Sequence, residues 1–254
     1  MNYFYGPVVS RRLGISLGVD LFPEKTCSFD CLYCQLGRSK IRYAQRVSRV
    51  NLGELKKELA QIIRKNPRIE FITFSGSGEP TLHRNLDKII RAVKEITRNK
   101  YRICLITNSS LLYRKSVRDE LKELDVIVPS LDAADLKTFR KINNPVKGFS
   151  LTKVIQGLIK LRKEFKGEIW LEVMLVKGIN DSLSQARKLK KIIEKIAPDK
   201  VQLNLPVRPA AVKLALPDLQ RLNQIKQIIG TEAEVVSDFY DGKKEFNAAG
   251  ARIR

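Results

Sequence analysis

The chain has 254 residues, 43% of them hydrophobic, and 48 Lys and Arg against 27 Asp and Glu give it a formal charge of +21. That length and apolar content suffice for a buried core and exclude a disordered chain. Apolar runs are short and broken by charge, which excludes a transmembrane helix. Ser10-Arg11-Arg12-Leu13 matches a twin-arginine export signal only at its start, because Asp20, Glu24 and Lys25 interrupt the apolar stretch such a signal needs. The expectation is a cytoplasmic protein with no membrane partner. Four cysteines, three of them within eight residues, argue against a disulfide framework and for a reducing compartment. The positive excess attracts polyanions. A thermophile surface balances Lys with Glu in ion-pair networks, and this one does not, so nucleic-acid binding is the preferred reading of the charge.

Taken in order, residues 1–14 are a turn-rich opening segment carrying Gly6-Pro7 and Gly14. A strand is predicted over 15–22, ended by Pro23, and a cysteine-bearing loop over 24–38. Asn51, with Glu54 three residues on, starts a helix whose apolar stripe runs through Leu52, Leu55, Leu59, Ile62 and Ile63. Alternation follows: a strand over 69–74, a helix marked by Leu86, Ile89, Ile90, Val93 and Ile96, a strand over 101–107 and a helix over 111–124. A strand over 125–131, helices over 135–142 and 151–165, and a strand over 168–176 come next. A helix over 183–196, a strand over 201–205, a helix over 216–229 and a short strand over 234–237 complete the pattern. Apolar strands each followed by an amphipathic helix predict parallel βαβ units. The fold class is α/β. About six such strands are too few for a closed eight-unit barrel, so a partial (βα)6 TIM-like barrel is preferred to a doubly wound sheet. One domain is expected over 1–254, with the barrel at 15–230 and a C-terminal extension at 231–254.

In such folds the functional groups gather at the carboxyl ends of the strands. After the first predicted strand come Cys27, Cys31 and Cys34, separated by three and two residues. Thiols this close suit one soft metal centre. A structural zinc site is usually closed by four ligands, whereas Cys104 is distant and His83 is the only histidine. An iron–sulfur cube on three thiolates keeps one iron open. A zinc knuckle with a borrowed ligand and plain reduced thiols are the alternatives. After the next strand, Gly76-Ser77-Gly78-Glu79-Pro80 combines close backbone approach with a carboxylate, although an ordinary glycine-rich turn reads the same way. Asn108, Ser130 and Asp132 follow later strands and suit a ribose or a carboxylate, while Asp132 could equally cap a helix. The turn at 177–181 is a candidate to face a base. Arg208, fixed by Pro209, reads as an exposed guanidinium able to take a phosphate, a guanine edge or a surface carboxylate. Arg11 and Arg12 form a basic pair. Cys104 and Trp170 read as core residues and His83 as a polar loop residue.

Cys27-x3-Cys31-x2-Cys34 with aromatic Tyr33 before the last cysteine resembles the signature of the radical S-adenosylmethionine (SAM) superfamily. Gly6-Pro7-Val8 with Ser10-Arg11-Arg12-Leu13-Gly14, the tail Gln35-Leu36-Gly37, Ser75-Gly76 with Gly78-Glu79-Pro80-Thr81-Leu82, and Asn204, Pro206, Arg208 and Pro209 resemble one branch of it, containing the wyosine-type tRNA guanosine synthases and uncharacterised proteins. The resemblance implies a [4Fe–4S] cluster on Cys27, Cys31 and Cys34. It implies SAM held near Tyr33, Gly76, Ser77, Gly78, Glu79, Asn108, Ser130 and Asp132, and reductive cleavage of SAM to a 5′-deoxyadenosyl radical. An electron donor such as ferredoxin or flavodoxin is implied with it. The wyosine synthases carry further cysteines for a second cluster; this chain has none before Cys27 or after Cys104. By charge and branch the expected substrate is an RNA base, in tRNA, with Arg11, Arg12 and Arg208 on the substrate. An activating enzyme placing a glycyl radical on a partner protein, and a non-catalytic metal or RNA-binding module, are the alternatives.

Overall fold

A computed structural model describes residues 2–39, 42–65, 67–210, 212–230 and 233–236. Its opening segment is not a loop. Strand β1 (Phe4–Ser10) pairs antiparallel with β2 (Gly14–Val19). Gly6-Pro7 sits where the register shifts between Tyr5 and Val8, so the turn-like residues mark an irregularity inside a strand. Seven parallel strands follow one another: β2, then β3 (Phe71–Phe74), β4 (Arg102–Thr107), β5 (Val126–Pro129), β6 (Glu168–Met174), β7 (Lys200–Asn204) and β8 (Ala233–Val235). Helices α1 (Leu52–Arg64), α2 (Leu86–Thr97), α3 (Lys115–Glu120), α4 (Leu136–Ile142), α5 (Leu151–Glu164), α6 (Leu183–Ile196) and α7 (Leu219–Ile229) make the crossovers. Among the described residues the sheet therefore runs from Phe4 to Val235, past the expected 15–230 at both ends: every expected strand is present, and β1 is added to them. The remainder of the expected C-terminal extension lies outside the described residues.

Strictly sequential strand order with helical crossovers curls the sheet into an open, TIM-like barrel; β1 and β8 are not paired among the described residues. Alternation along each strand separates two cores. One face packs Ile72, Phe74, Ile103, Leu105, Ile127, Leu171 and Leu203 against helix residues such as Leu55, Ile90, Leu158 and Leu189. Each fully buried side chain of this kind contributes about 1.5–3 kcal/mol. The other face encloses a lumen, where Phe71, Cys104, Val126, Val128 and Trp170 meet Leu13. Leu13 comes from the β1–β2 turn, so that turn folds into the lumen. Helix starts follow the sequence: the Asn51 side chain accepts from Gly53 N and Glu54 N, and Asp135, Ser150, Ser182 and Asp218 cap in the same way. The helix expected over 111–124 is only α3, because residues 111–114 form turns closed by Leu112 N on Ser109 O and Arg114 N on Leu111 O.

Towards the carboxyl ends of the strands the lumen turns polar. Ser16 Oγ and Thr73 Oγ1 share a hydrogen bond of 2.7 Å, and Asn204 Nδ2 donates to Glu172 Oε2 at 3.1 Å. Glu172 is level with Gln202 in the register, and Gln202 with Glu234. Ser130 bridges to Glu172 and so lies on the same face.

Candidate functional site

The loop leaving β2 carries the three cysteines, all half-buried, over the carboxyl ends of the strands. Backbone contacts fasten it to the turn after β3. Thr26 N donates to Ser77 O at 2.8 Å and Glu79 N to Thr26 O at 2.9 Å. A Cβ on Gly78 would lie 2.0 Å from Thr26 O, so only glycine permits this approach. Gly76 has φ +128°, and a Cβ there would lie 2.6 Å from the Asp20 carboxyl carbon. Ser77 is buried and donates to Asp20 Oδ2 through its amide (2.9 Å) and hydroxyl (2.5 Å). The glycine-rich stretch thus serves first as the seat of the cysteine loop.

Asp30 ties the loop to itself. Its carboxylate accepts from Ser39 N (2.8 Å), Lys25 Nζ (3.1 Å) and Arg38 Nη1 (3.3 Å), and Lys25 also reaches Gly37 O. Burial raises this carboxyl, but the bonds from Ser39, Lys25 and Arg38 outweigh it and hold the pKa below its ordinary value. Two amides attend the sulfurs: Asn108 Nδ2 stands 3.4 Å from Cys27 Sγ and Asn143 Nδ2 3.5 Å from Cys31 Sγ. Burial pushes the Cys27 thiol up to about 12, with the Glu79 charge adding to it. Burial, then Asp132 and Cys27, push Cys31 well above the ordinary thiol value.

Glu79 is buried, with both oxygens engaged by protein. Oε1 accepts from Thr81 N (3.1 Å), Thr81 Oγ1 (2.5 Å) and Thr107 Oγ1 (2.6 Å), and Oε2 from Asn108 N (2.6 Å). Asp132 is likewise spent. Oδ2 accepts from Tyr33 Oη (2.5 Å) and Asn143 Nδ2 (2.6 Å), and Oδ1 from Met174 N (2.9 Å). Burial raises both carboxyls, and these donors pull each back. Both carboxylates are thus taken up by protein donors, and Asp132 does not cap a helix; that falls to Asp135. Ser130 faces the lumen, its carbonyl held by Ser109 Oγ at 2.8 Å. The turn at 177–181 is not free either. Buried Asn180 donates to Asp132 O (2.8 Å) and Met174 O (2.7 Å) and accepts from Val176 N (2.7 Å). His83 is buried rather than a loop polar group: Nε2 accepts from Arg49 N at 3.1 Å and Val50 N at 3.3 Å, and burial lowers its pKa.

The arginines part company. Arg208 is exposed and donates to Gln35 Oε1 at 3.4 Å. Arg12, expected on the substrate as half of a basic pair, reaches into the lumen and forms an ion pair with Glu172. Burial, then the charges of Arg11 and Arg208 among its neighbours, bring its pKa down to about 10. Sequence reading missed Asp20, Asp30, Asn143 and Glu172. Asp30, flanked by Lys25 and Arg38 inside the cysteine run, was the one with a local signal.

Among the described residues, no three His, Cys, Asp or Glu side chains already stand close enough together to hold a metal ion. The donor set nonetheless fits an iron–sulfur cluster: three half-buried thiols on one loop, two of them with amide donors on sulfur. The Radical SAM superfamily model matches residues 23–189, from the cysteine loop to α6. The chain belongs to the radical SAM superfamily. It is a radical SAM enzyme, and the family implies a [4Fe–4S] cluster and SAM. It is 47% identical over 199 residues to a Brachyspira hyodysenteriae protein named GTPase Obg, covering 78% of this chain and 29% of that protein. The chain thus spans less than a third of that relative. A UPF0026 protein of Methanocaldococcus jannaschii is 34% identical over 238 residues, 93% of this chain and 73% of that protein. A probable dual-specificity RNA methyltransferase RlmN of Thermotoga sp. (strain RQ2) is 26% identical over 226 residues, 82% and 61%. Among solved structures, a radical SAM methyltransferase from Sphaerobacter thermophilus superposes with a TM-score of 0.65 at 18% identity, covering 87% of this chain and 65% of that one. It shares this chain's fold.

Proposed function

We propose that this radical SAM enzyme modifies a base in RNA, with tRNA the preferred substrate, and that its function lies nearest to the branch containing the wyosine-type synthases. The observation that carries the reading is the charge of +21, in a chain whose cysteine loop overlooks a lumen entered by Arg12. The RNA methyltransferase relative supports it. Cys27, Cys31 and Cys34 hold the cluster. With SAM bound, the cluster these thiolates would hold would supply one-electron radical chemistry toward the substrate.

The chain's own residues prepare the site. Asp30 and the Thr26–Gly78 contact fix the loop over the lumen. Asn108 and Asn143 place N–H dipoles on two sulfurs, which favours the more reduced, more negative state. Asp132 orients Tyr33 and Asn143 together, so the carboxylate acts as a positioning residue behind the SAM pocket. Glu79 does the same for Asn108. Gly76, Ser77 and Gly78 seat the cysteine loop beside the SAM pocket and Ser130 faces the lumen, and the protein walls keep water from the reactive species.

The test is anaerobic reconstitution followed by dithionite, SAM and a polyanion. tRNA should raise 5′-deoxyadenosine release, and binding should fall with salt at a log–log slope of roughly −3 to −6, about four to seven phosphate contacts. Heparin at matched ionic strength should bind without raising release. Equal affinity for heparin and tRNA, with no tRNA-dependent release, moves the substrate to a partner protein.

A further inference from the structure

Among the described residues, Arg11 and Gln202 each keep a buried polar atom without a hydrogen-bond partner. Arg11 Nη1 is sealed from water without a hydrogen bond, and so is Gln202 Oε1. Buried polar groups are almost always paired, so a lone donor and a lone acceptor are groups that a ligand completes. Gln202 is 1% exposed and level with Glu172, which places it on the lumen face, and its Nε2 is already given to Glu234 Oε1 at 2.7 Å. Arg11 neighbours Arg12 on the turn that folds inward. Arg12 has Glu172, whereas Arg11 and Arg208 meet no carboxylate among the described residues. Burial and the charge of Arg208 both lower the Arg11 pKa, as expected for cations held together without a counter-charge.

An aromatic face completes the set. Tyr5 lies across Gly18 so closely that a Cβ there would stand 2.0 Å from the ring. Its hydroxyl shares a 2.6 Å hydrogen bond with Ser75 Oγ, yet the residue is 39% exposed. A ring fixed at one edge and open on its surface is a stacking platform for a base.

We propose that the lumen is a nucleotide subsite in which Arg11 and Arg208 take a phosphate, Gln202 Oε1 accepts an N–H or O–H, and Tyr5 stacks on the base. Glu172 keeps Arg12 extended beside them. This rests on the RNA reading and narrows it: a single nucleotide enters the barrel with its phosphate. A free mononucleotide and a nucleotide turned out of an RNA strand offer the same chemistry.

The test is calorimetric titration of the cluster-loaded protein with uridine 5′-monophosphate, uridine and a uridine-centred RNA pentamer; a pyrimidine avoids competition with the adenosine of SAM. The monophosphate should bind at least tenfold tighter than the nucleoside. Arg11→Gln should erase that ratio and Arg208→Gln reduce it, with iron content and SAM affinity within twofold of wild type. A pentamer weakened by Arg11→Gln as much as the monophosphate identifies an RNA source; a monophosphate tighter than the pentamer identifies a free nucleotide. Gln202→Glu replaces the donor to Glu234 by a second carboxylate, adds a negative charge to the lumen, and should weaken the monophosphate at least tenfold and uridine by less. An unchanged ratio in Arg11→Gln overturns the subsite, as does an equal loss of SAM affinity, which would put the arginine on SAM's carboxylate. Should Arg11→Gln not fold, an unchanged monophosphate affinity in Gln202→Glu overturns it instead. Phosphate discrimination without RNA-dependent 5′-deoxyadenosine leaves the subsite standing and removes the RNA reading; the converse removes the subsite alone.

Discussion

Replacing Asp132 by Asn tests whether that carboxylate is the hub behind the cysteine loop. It accepts three bonds: from Tyr33 (2.5 Å) and Asn143 (2.6 Å) on one oxygen and from Met174 N (2.9 Å) on the other. An amide keeps one oxygen and turns an NH2 towards the remaining donors. Hydrogen bonds to a charged group contribute about 1.5–3 kcal/mol each. With one or two of the three lost, the predicted destabilisation is about 3 kcal/mol. At about 2–4 °C per kcal/mol for a chain near this size, the melting temperature should fall by roughly 6–12 °C. Tyr33→Phe removes one donor and should cost about 1.5 kcal/mol. In the double variant the opposed donor is gone, so its loss should be smaller than the sum of the two single losses. Denaturant unfolding of the four proteins under reducing conditions reads all of this. A loss below about 1 kcal/mol for Asp132→Asn, or strict additivity, refutes the hub.

Other substitutions probe the rest of the site. Gly78→Ala drives a methyl into Thr26 O, at 2.0 Å on the present backbone, and should lower reconstituted iron by more than half while the melting curve stays cooperative; full iron content would show that the loop does not need this contact. Cys27→Ala, Cys31→Ala and Cys34→Ala should each abolish iron uptake, about four irons per chain in the parent, and Cys104→Ala, buried on the lumen face, should not. Glu79→Gln removes the charge that four donors converge on and should weaken SAM binding through a displaced Asn108, measured by calorimetry on loaded protein; unchanged affinity counts against that route. Asp135 is held at about 2, against 3.8 ordinarily, by Thr138 N and then the Gln185 amide. Because its folded pKa lies below the unfolded one, its contribution is present above about pH 4 and is lost as the pH falls towards 2; stability measured against pH should lose that step in Asp135→Asn.

The alternation of strands and helices was legible because each crossover carries its own apolar period, and the cysteine spacing because ligands on one loop are close in sequence. Strand β1 was not, since Gly6-Pro7 reads as a turn whether or not a partner strand stands alongside. Nor was Arg12: nothing local says that the β1–β2 turn folds inward, and an arginine pair on a turn looks solvated. Asn143 lies 112 residues from Cys31 and meets it only because α4 ends beneath the loop. Glu79 and Asp132 were found as carboxylates at strand ends, but sequence position does not reveal how many donors from other strands converge on them. A residue's address was readable; its satisfaction by distant backbone was not.

Trp170 is the chain's single tryptophan and lies on the lumen wall, its indole N–H on Glu168 Oε2 at 2.9 Å and the Lys200 ammonium 4.5 Å from its ring. All of the tryptophan emission therefore originates inside the barrel, from one indole already biased by a neighbouring cation. Whatever fills the lumen or moves its walls alters the local field at that ring. The protein carries its own optical probe of the barrel interior, and occupancy can be followed by intensity and wavelength without attaching a label.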